Sequence, residues 1–322
     1  MSNYKKISSN IQQVIIDNPK TPDEKLIWIN INNAGKKEIK FLRKKYNFDL
    51  KYLQASSAKS IAQRPKVRHC GDYLFMILHF PVLDDSNIRA GEIEFFVGHG
   101  YLITLHNNNI QKLTSFFNSC KKGDNVPLSF EFESSAILLY ELLEKLMFSC
   151  YELLDQNSMA IEDLERIIFS EKQQQAASRI MSLKRNIINF RKIMQNHKNI
   201  LKSLMDMKSS LVPKKKLKNY YYNLVEQAKR IWEILENQKE MIDALHETNE
   251  SFLNYRISDI MKTLTIFSVI VFPLTLLAAI FGMNTTNGMP FMKTENGFWI
   301  IMAIMMIGSL TMLLFFEKKR WL

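Results

Sequence analysis

Cysteine is almost absent from this chain of 322 residues, with Cys70, Cys120 and Cys150 its only three. An odd number, far apart and without CxxC or Cys/His spacing, gives no support to a disulfide framework or a zinc site. The three read as buried apolar residues in a reducing compartment. Glycine is scarce as well, at 10, and none stands in a phosphate loop, a dinucleotide fingerprint, a kinase glycine-rich loop or a nucleophile elbow. An ATP-driven pump is set aside on that ground, and no catalytic constellation suggests an enzyme. The six histidines, His69, His79, His99, His106, His197 and His246, contain no ligand pair at i, i+4. They read as ordinary fold or surface residues, although His79 and His106 end predicted strands and are able to meet in space. The start, MSNYKKISSNIQQVIID, lacks the apolar core of a signal peptide, so the N-terminal part is expected to stay where it was made.

The formal charge of +11 would suit a nucleic-acid binder. Distribution argues otherwise. Lysines are spread among plentiful acids, the clusters at 214–216 and 318–320 are short, and no DNA- or RNA-binding module accompanies them. No nucleic-acid partner is expected; the basic residues read as solvated or membrane-facing.

Charge is missing altogether from two long runs, 264–281 and 298–316. At about 1.5 Å rise per residue each crosses most of a ~30 Å hydrocarbon layer. Two such runs, separated by a short polar loop at 282–297, read as a transmembrane hairpin. Arg256 and Lys262 precede the first span and Lys318, Lys319 and Arg320 follow the second, which predicts that both ends face the cytoplasm. The loop, with Lys293 against Glu295, would lie outside, and Trp299 and Trp321 mark the two headgroup levels. Pro273 removes a backbone donor from the first span, so a neighbouring helix or a hydroxyl is expected to compensate. Ser258, Met261, Thr265, Ser268, Phe272, Thr275 and Ala279 recur at steps of three or four, placing hydroxyls along one face. Such a stripe serves helix packing or lines a water-filled pore, and periodicity leaves both open.

The remainder reads as an α+β domain with long helical arms. Residues 26–31 and 73–79 carry strand composition, and 92–97 with 101–106 flank Gly98-His99-Gly100 as a hairpin. Residues 36–45 and 49–57 look helical. From Ser134 strand signals and glycine disappear, and Pro213 in a Lys-rich turn divides two helical arms. The second arm has no further proline before Pro273, which predicts one continuous helix into the membrane. Ile231, Ile234, Leu235, Ile242 and Leu245 give it an apolar face, for self-association or for packing on the first arm. The expected division is 1–133 (α/β domain), 134–212 (helical arm), 213–263 (stalk), 264–281 (first span), 282–297 (outer loop), 298–316 (second span) and 317–322 (basic tail).

At the outer end of the first span stands Gly282-Met283-Asn284, followed by Met289-Pro290 and the terminal Lys318-Lys319-Arg320-Trp321-Leu322. With Met261-Lys262, Pro273-Leu274-Thr275, Arg64-Pro65-Lys66-Val67 and Gly71-Asp72-Tyr73-Leu74-Phe75, the sequence resembles the CorA family of Mg²⁺ transporters, to which the ZntB type is related. The resemblance implies a funnel-shaped homopentamer in a bacterial-type inner membrane. In it the first span lines the pore, the second forms an outer ring, and Mg²⁺, with Co²⁺ or Ni²⁺ as further cargo, enters down the membrane potential. It implies Mg²⁺ as both transported and regulatory ion, and no organic cofactor. Gly282, Met283 and Asn284 then form the selectivity element, with Thr275 below. Phe272, Leu264 and Met261 match constrictions. Of the family's regulatory acidic pair, Asp84 matches the first position, but Asn223 stands at the second, leaving Glu226 one turn on as a substitute. The outer loop has Phe291 where a glutamate usually follows Met-Pro. The alternatives are a ZntB-like Zn²⁺ transporter and a membrane-anchored coiled-coil scaffold without conductance.

Overall fold

β-Branched and aromatic residues dominate the strands and set the sheet. In the computed structural model, residues 3–17, 25–56, 63–107, 110–122, 134–170, 173–207, 211, 217–283, 288–291, 294–319 and 321 are described. The order is β1 (Asn3–Lys6), β2 (Ile11–Asp17), β3 (Lys25–Asn32), α1 (Lys36–Tyr46), α2 (Leu50–Ala55), β4 (Lys66–Cys70), β5 (Tyr73–Asp84), β6 (Asn87–Gly98) and β7 (Tyr101–His106). Helices follow: α3 (Gln111–Lys122), α4 (Ser135–Phe169), α5 (Gln173–Met194), α6 (His197–Asp206), α7 (Leu217–Phe281) and α8 (Gly297–Lys318). Two compact units result, 1–246 and 247–322, and the division falls inside α7.

In the first unit the sheet runs β1-β2-β3-β7-β6-β5-β4, antiparallel except for the β3–β7 pair. Alternation along β5 sends Leu74, Met76 and Leu78 to one core and Tyr73, Phe75 and Ile77 to the other. The second core is small, closed by Leu42 of α1, Leu53 of α2 and Phe48 between them. The first is large: Trp28 meets Phe117 of α3 edge-on at 5.0 Å, and α4, α5, α6 and residues Tyr221 to Leu235 of α7 complete it. The sheet and the helical arms thus share one core and belong to one unit, although the sequence pattern suggested a division near residue 133.

The first arm is three helices, not one. α4 ends at Phe169, where the Ser170 amide bonds Arg166 O, and α5 yields to α6 at Gln195-Asn196. Neither break has a glycine or proline. α7 is continuous across 65 residues: the stretch before Pro273 has no proline, as the sequence predicts, and the helix runs on through Pro273 itself.

His79 and His106 do not meet. His79 shares its sheet face with Ile77 and Phe75, whereas His106 shares its own with Thr104 and Leu102, on the other side.

Candidate functional site

The second unit comprises the end of α7, the outer loop and α8. Both helices contain a stretch long and apolar enough to cross a membrane, and only 6% and 0% of those stretches is buried. A core helix of a water-soluble protein would be covered, so these surfaces await lipid or other copies of the chain.

At about 100° per residue, Ser258, Met261, Leu264, Thr265, Ser268, Phe272, Thr275 and Ala279 fall within an arc of about 120°. All are exposed except Ser268, which is half-buried. The better covered residues Lys262, Ile266, Ile270, Pro273, Leu277 and Phe281 centre about 150° away. On that side Phe281 lines a cavity of about 450 Å³ together with Phe298, Ile301 and Met305 of α8. The hydroxyl stripe therefore occupies the side of α7 that its own hairpin leaves bare.

Three of the stripe hydroxyls are internally engaged. Thr265, Ser268 and Thr275 donate to the carbonyls of Met261, Leu264 and Val271 at 2.7, 2.8 and 2.8 Å. The carbonyl that Pro273 deprives of its amide is that of Val269, four residues earlier, and the Thr275 hydroxyl bonds Val271 O instead.

Gly282 does not take a positive φ. Its amide closes the last helical turn on Ala278 O at 2.9 Å, and among the described residues of the outer loop the positive-φ positions are Gly288 at 92° and Phe291 at 67°. Phe291 thus holds a conformation that bulky residues seldom adopt. Its carbonyl accepts both the amide and the hydroxyl of Thr294, and a Cβ on Gly297 would stand 2.2 Å from the same oxygen. Glycine at the start of α8 is what lets this loop fold so tightly. Asn284 lies outside the described residues.

The other candidate site is in the first unit. Asp84 ends β5 beside a tight turn in which Asp85 and Ser86 both take positive φ, and the turn pairs Asp84 with Asn87. Two residues further along, Arg89 reaches back so that its Nη1 lies 2.8 Å from Asp84 Oδ2. Both side chains remain substantially exposed, so the ion pair is weak and open to competition. On α7, Asn223 is exposed and Glu226 half-buried. Among the described residues no three His, Cys, Asp or Glu side chains come together as a metal site. Sequence reading missed Arg89, although the β5–β6 hairpin register would have exposed it.

A carboxylate cluster in the same sheet was also missed. Glu92 Oε2 is 2.9 Å from His79 Nε2 and accepts the Gln63 amide at 2.7 Å. Next to it Glu94 is buried, and burial together with the neighbouring Glu92 charge holds its carboxyl well above the usual range, so that it stays protonated and shares its proton with Glu92. Two glutamates at alternate positions within an apolar strand were the available signal. A group with a raised folded pKa contributes stability that is complete below its ordinary value and is lost as pH rises through the raised one. Glu94→Gln is therefore expected to leave the melting temperature of the purified protein unchanged near pH 4.5 and to raise it by several degrees at pH 8. An equal shift at both pH values would show that Glu94 is not protonated.

The model of the CorA-like Mg²⁺ transporter protein family matches residues 23–320. The chain belongs to this family. The cobalt/magnesium transport protein CorA of Thermotoga maritima is 24% identical over 298 residues, covering 92% of this chain and 83% of that protein. The CorA magnesium transporter structure from Methanocaldococcus jannaschii superposes with a TM-score of 0.84 at 19% identity, covering 98% of this chain and all of that one. The ZntB cytoplasmic domain from Vibrio parahaemolyticus gives 0.56 at 14% identity, covering 79% and 98%. CorA membership accounts for a transporter architecture.

Proposed function

We propose that the protein is a subunit of a CorA-type channel that carries Mg²⁺ into the cytoplasm, assembled as a homopentamer in a bacterial-type inner membrane with both termini cytoplasmic. The observation that carries this reading is the uncharged hydroxyl stripe on the bare side of α7, ending at Gly282-Met283-Asn284. One hairpin cannot enclose an aqueous path, whereas several copies turning this face inward can.

Mg²⁺ gives up its water reluctantly and usually retains several waters when bound. A path without carboxylates suits an ion that keeps its first shell. In this reading Asn284 accepts hydrogen bonds from that shell at the mouth, Thr275, Ser268 and Thr265 continue the polar track, and Phe272, Leu264 and Met261 form apolar rings that close by dewetting. No fuel is needed, because a divalent charge crossing 100 mV gains about 4.6 kcal/mol, twice the single-charge value of about 2.3.

The test is uptake into liposomes holding the purified protein, with an imposed inside-negative potential and Mg²⁺, Co²⁺, Ni²⁺ or Zn²⁺ outside. Potential-dependent Mg²⁺ entry supports the reading. Preference for Zn²⁺ would favour a ZntB-like transporter, and absence of any metal flux a non-conducting scaffold.

Regulation by internal Mg²⁺ would use Asp84 with Glu226, since Asn223 brings no charge. Arg89 already supplies a cation to Asp84, so a divalent ion must compete with it, and closure then requires more internal Mg²⁺ than a site of two free acids. Arg89→Gln should shift the inhibition curve several-fold toward lower internal Mg²⁺, Asn223→Asp should do the same, and Asp84→Ala should shift it the other way. Superimposable curves for wild type and all three variants would move the sensor elsewhere.

A further inference from the structure

β4 is short. Its last pairing with β5 is Lys66 with Ile77, so Leu78 to Asp84 have no strand on that side, and Pro81, which has no amide to offer, sits in this open stretch. A cleft of about 840 Å³ opens along it, between the segment leading into β4, the β5–β6 hairpin and the junction of α5 with α6. Its size lies within the range typical of small-molecule sites.

The lining is one-sided in charge. Arg64, Arg89 and Lys192 contribute cationic groups, His79 stands at the wall, and no carboxylate belongs to the lining. Arg89 is paired with Asp84 at the rim, whereas Arg64 and Lys192 have no acidic partner among the described residues. Around them are neutral hydrogen-bonding groups, including Asn196, the N-cap residue of α6, whose side chain makes no bond to the helix it begins. Ile88, Ala90, Ile193 and Pro65 supply an apolar strip. The walls are firmly built: the Asn186 side chain accepts from the Ile88 amide at 3.0 Å and donates to Ser86 O at 2.8 Å, and Asn189 donates to Ile88 O at 3.2 Å, fixing the hairpin to α5.

Two cations without an acidic partner that line one preformed cleft repel, and an anion carrying several acceptor oxygens relieves that repulsion with charge-assisted hydrogen bonds. The apolar strip beside them suits an attached non-ionic part. We infer that this cleft binds a phosphate-bearing small molecule, with the phosphate on Arg64 and Lys192 and the less polar portion against Ile88 and Ile193. None of these residues belongs to the proposed ion path, so the inference stands apart from the transport reading.

The experiment measures equilibrium binding of labelled ATP, AMP and inorganic phosphate to the purified full-length protein, without Mg²⁺ and in low salt, with melting temperature as a second readout. Saturable binding of at least one compound is expected, weakened by about tenfold or more in the Arg64→Gln/Lys192→Gln double variant. The single Arg64→Gln variant should lie between the two. The unliganded melting temperature and elution volume of each variant establish that it is folded. AMP binding more tightly than phosphate identifies a nucleoside-bearing ligand; equal affinity identifies the phosphate alone. No saturable binding by any of the three, or undiminished binding by a folded double variant, overturns the assignment.

Discussion

Replacing Asn284 with alanine is expected to reduce Mg²⁺ uptake by a hundredfold or more while leaving the oligomer at its wild-type size. In the sequence Asn284 comes two residues after Gly282, whose amide closes the last turn of α7 on Ala278 O. In the proposed pentamer five such amides meet the ion's water shell at once. A hydrogen bond to a neutral partner contributes about 0.5–1.5 kcal/mol, so losing a ring of them removes several kcal/mol at the point of entry. Transition-metal uptake should fall in parallel, because the contact is to water and not to the metal. Assembly should not suffer, since in this reading the amide contacts ion-bound water and not the protein core. Cation uptake at wild-type rate through a correctly assembled variant would remove Asn284 from the path.

Phe272→Ala is expected to have the opposite sign, raising resting flux about tenfold or more. No large apolar side chain among the described residues is more exposed than Phe272, at 71%, and it lies on the stripe between Ser268 and Thr275. In a ring of copies its phenyl groups crowd the axis and exclude water; alanine leaves space that water refills, and a wet constriction conducts. Leak should appear even at internal Mg²⁺ that closes the wild type. Unchanged flux would place Phe272 against lipid or a neighbouring helix instead.

The membrane half was legible because its signals are local. Two uncharged runs, a stripe at helical spacing and a tripeptide each need only a few adjacent residues, and α8 and the continuous α7 appear where these signals put them. In the first unit, strands with β-branched or aromatic runs were legible, as in β3, β5 and the hairpin that turns at His99-Gly100. The polar edge strand β1 was not, because Asn3–Lys6 has almost no apolar alternation and gains its place by pairing with β2. Nor was the division of the first arm into α4, α5 and α6. Its breaks contain no breaker residue and are made by packing on the common core, which local propensity cannot see. The Asp84–Arg89 pair and the Glu92–Glu94–His79 cluster lay hidden for a different reason: both are cross-strand relations, fixed by a register that only the folded sheet displays.

The stripe hydroxyls have one more consequence. Because Thr265, Ser268 and Thr275 each direct their hydrogen inward to a backbone carbonyl, what they turn outward is oxygen lone pairs. A metal cation orients its waters with hydrogens pointing away from it, so the outer surface of a hydrated cation is a shell of donors. A hydrated anion orients its waters the other way and presents oxygens. In the proposed pore the helix surface would then be complementary to one polarity of hydration shell and unfavourable to the other. In that proposed arrangement a wall with no formal charge would disfavour chloride while holding a hexahydrate loosely enough to let it move on, which a ring of carboxylates would not do.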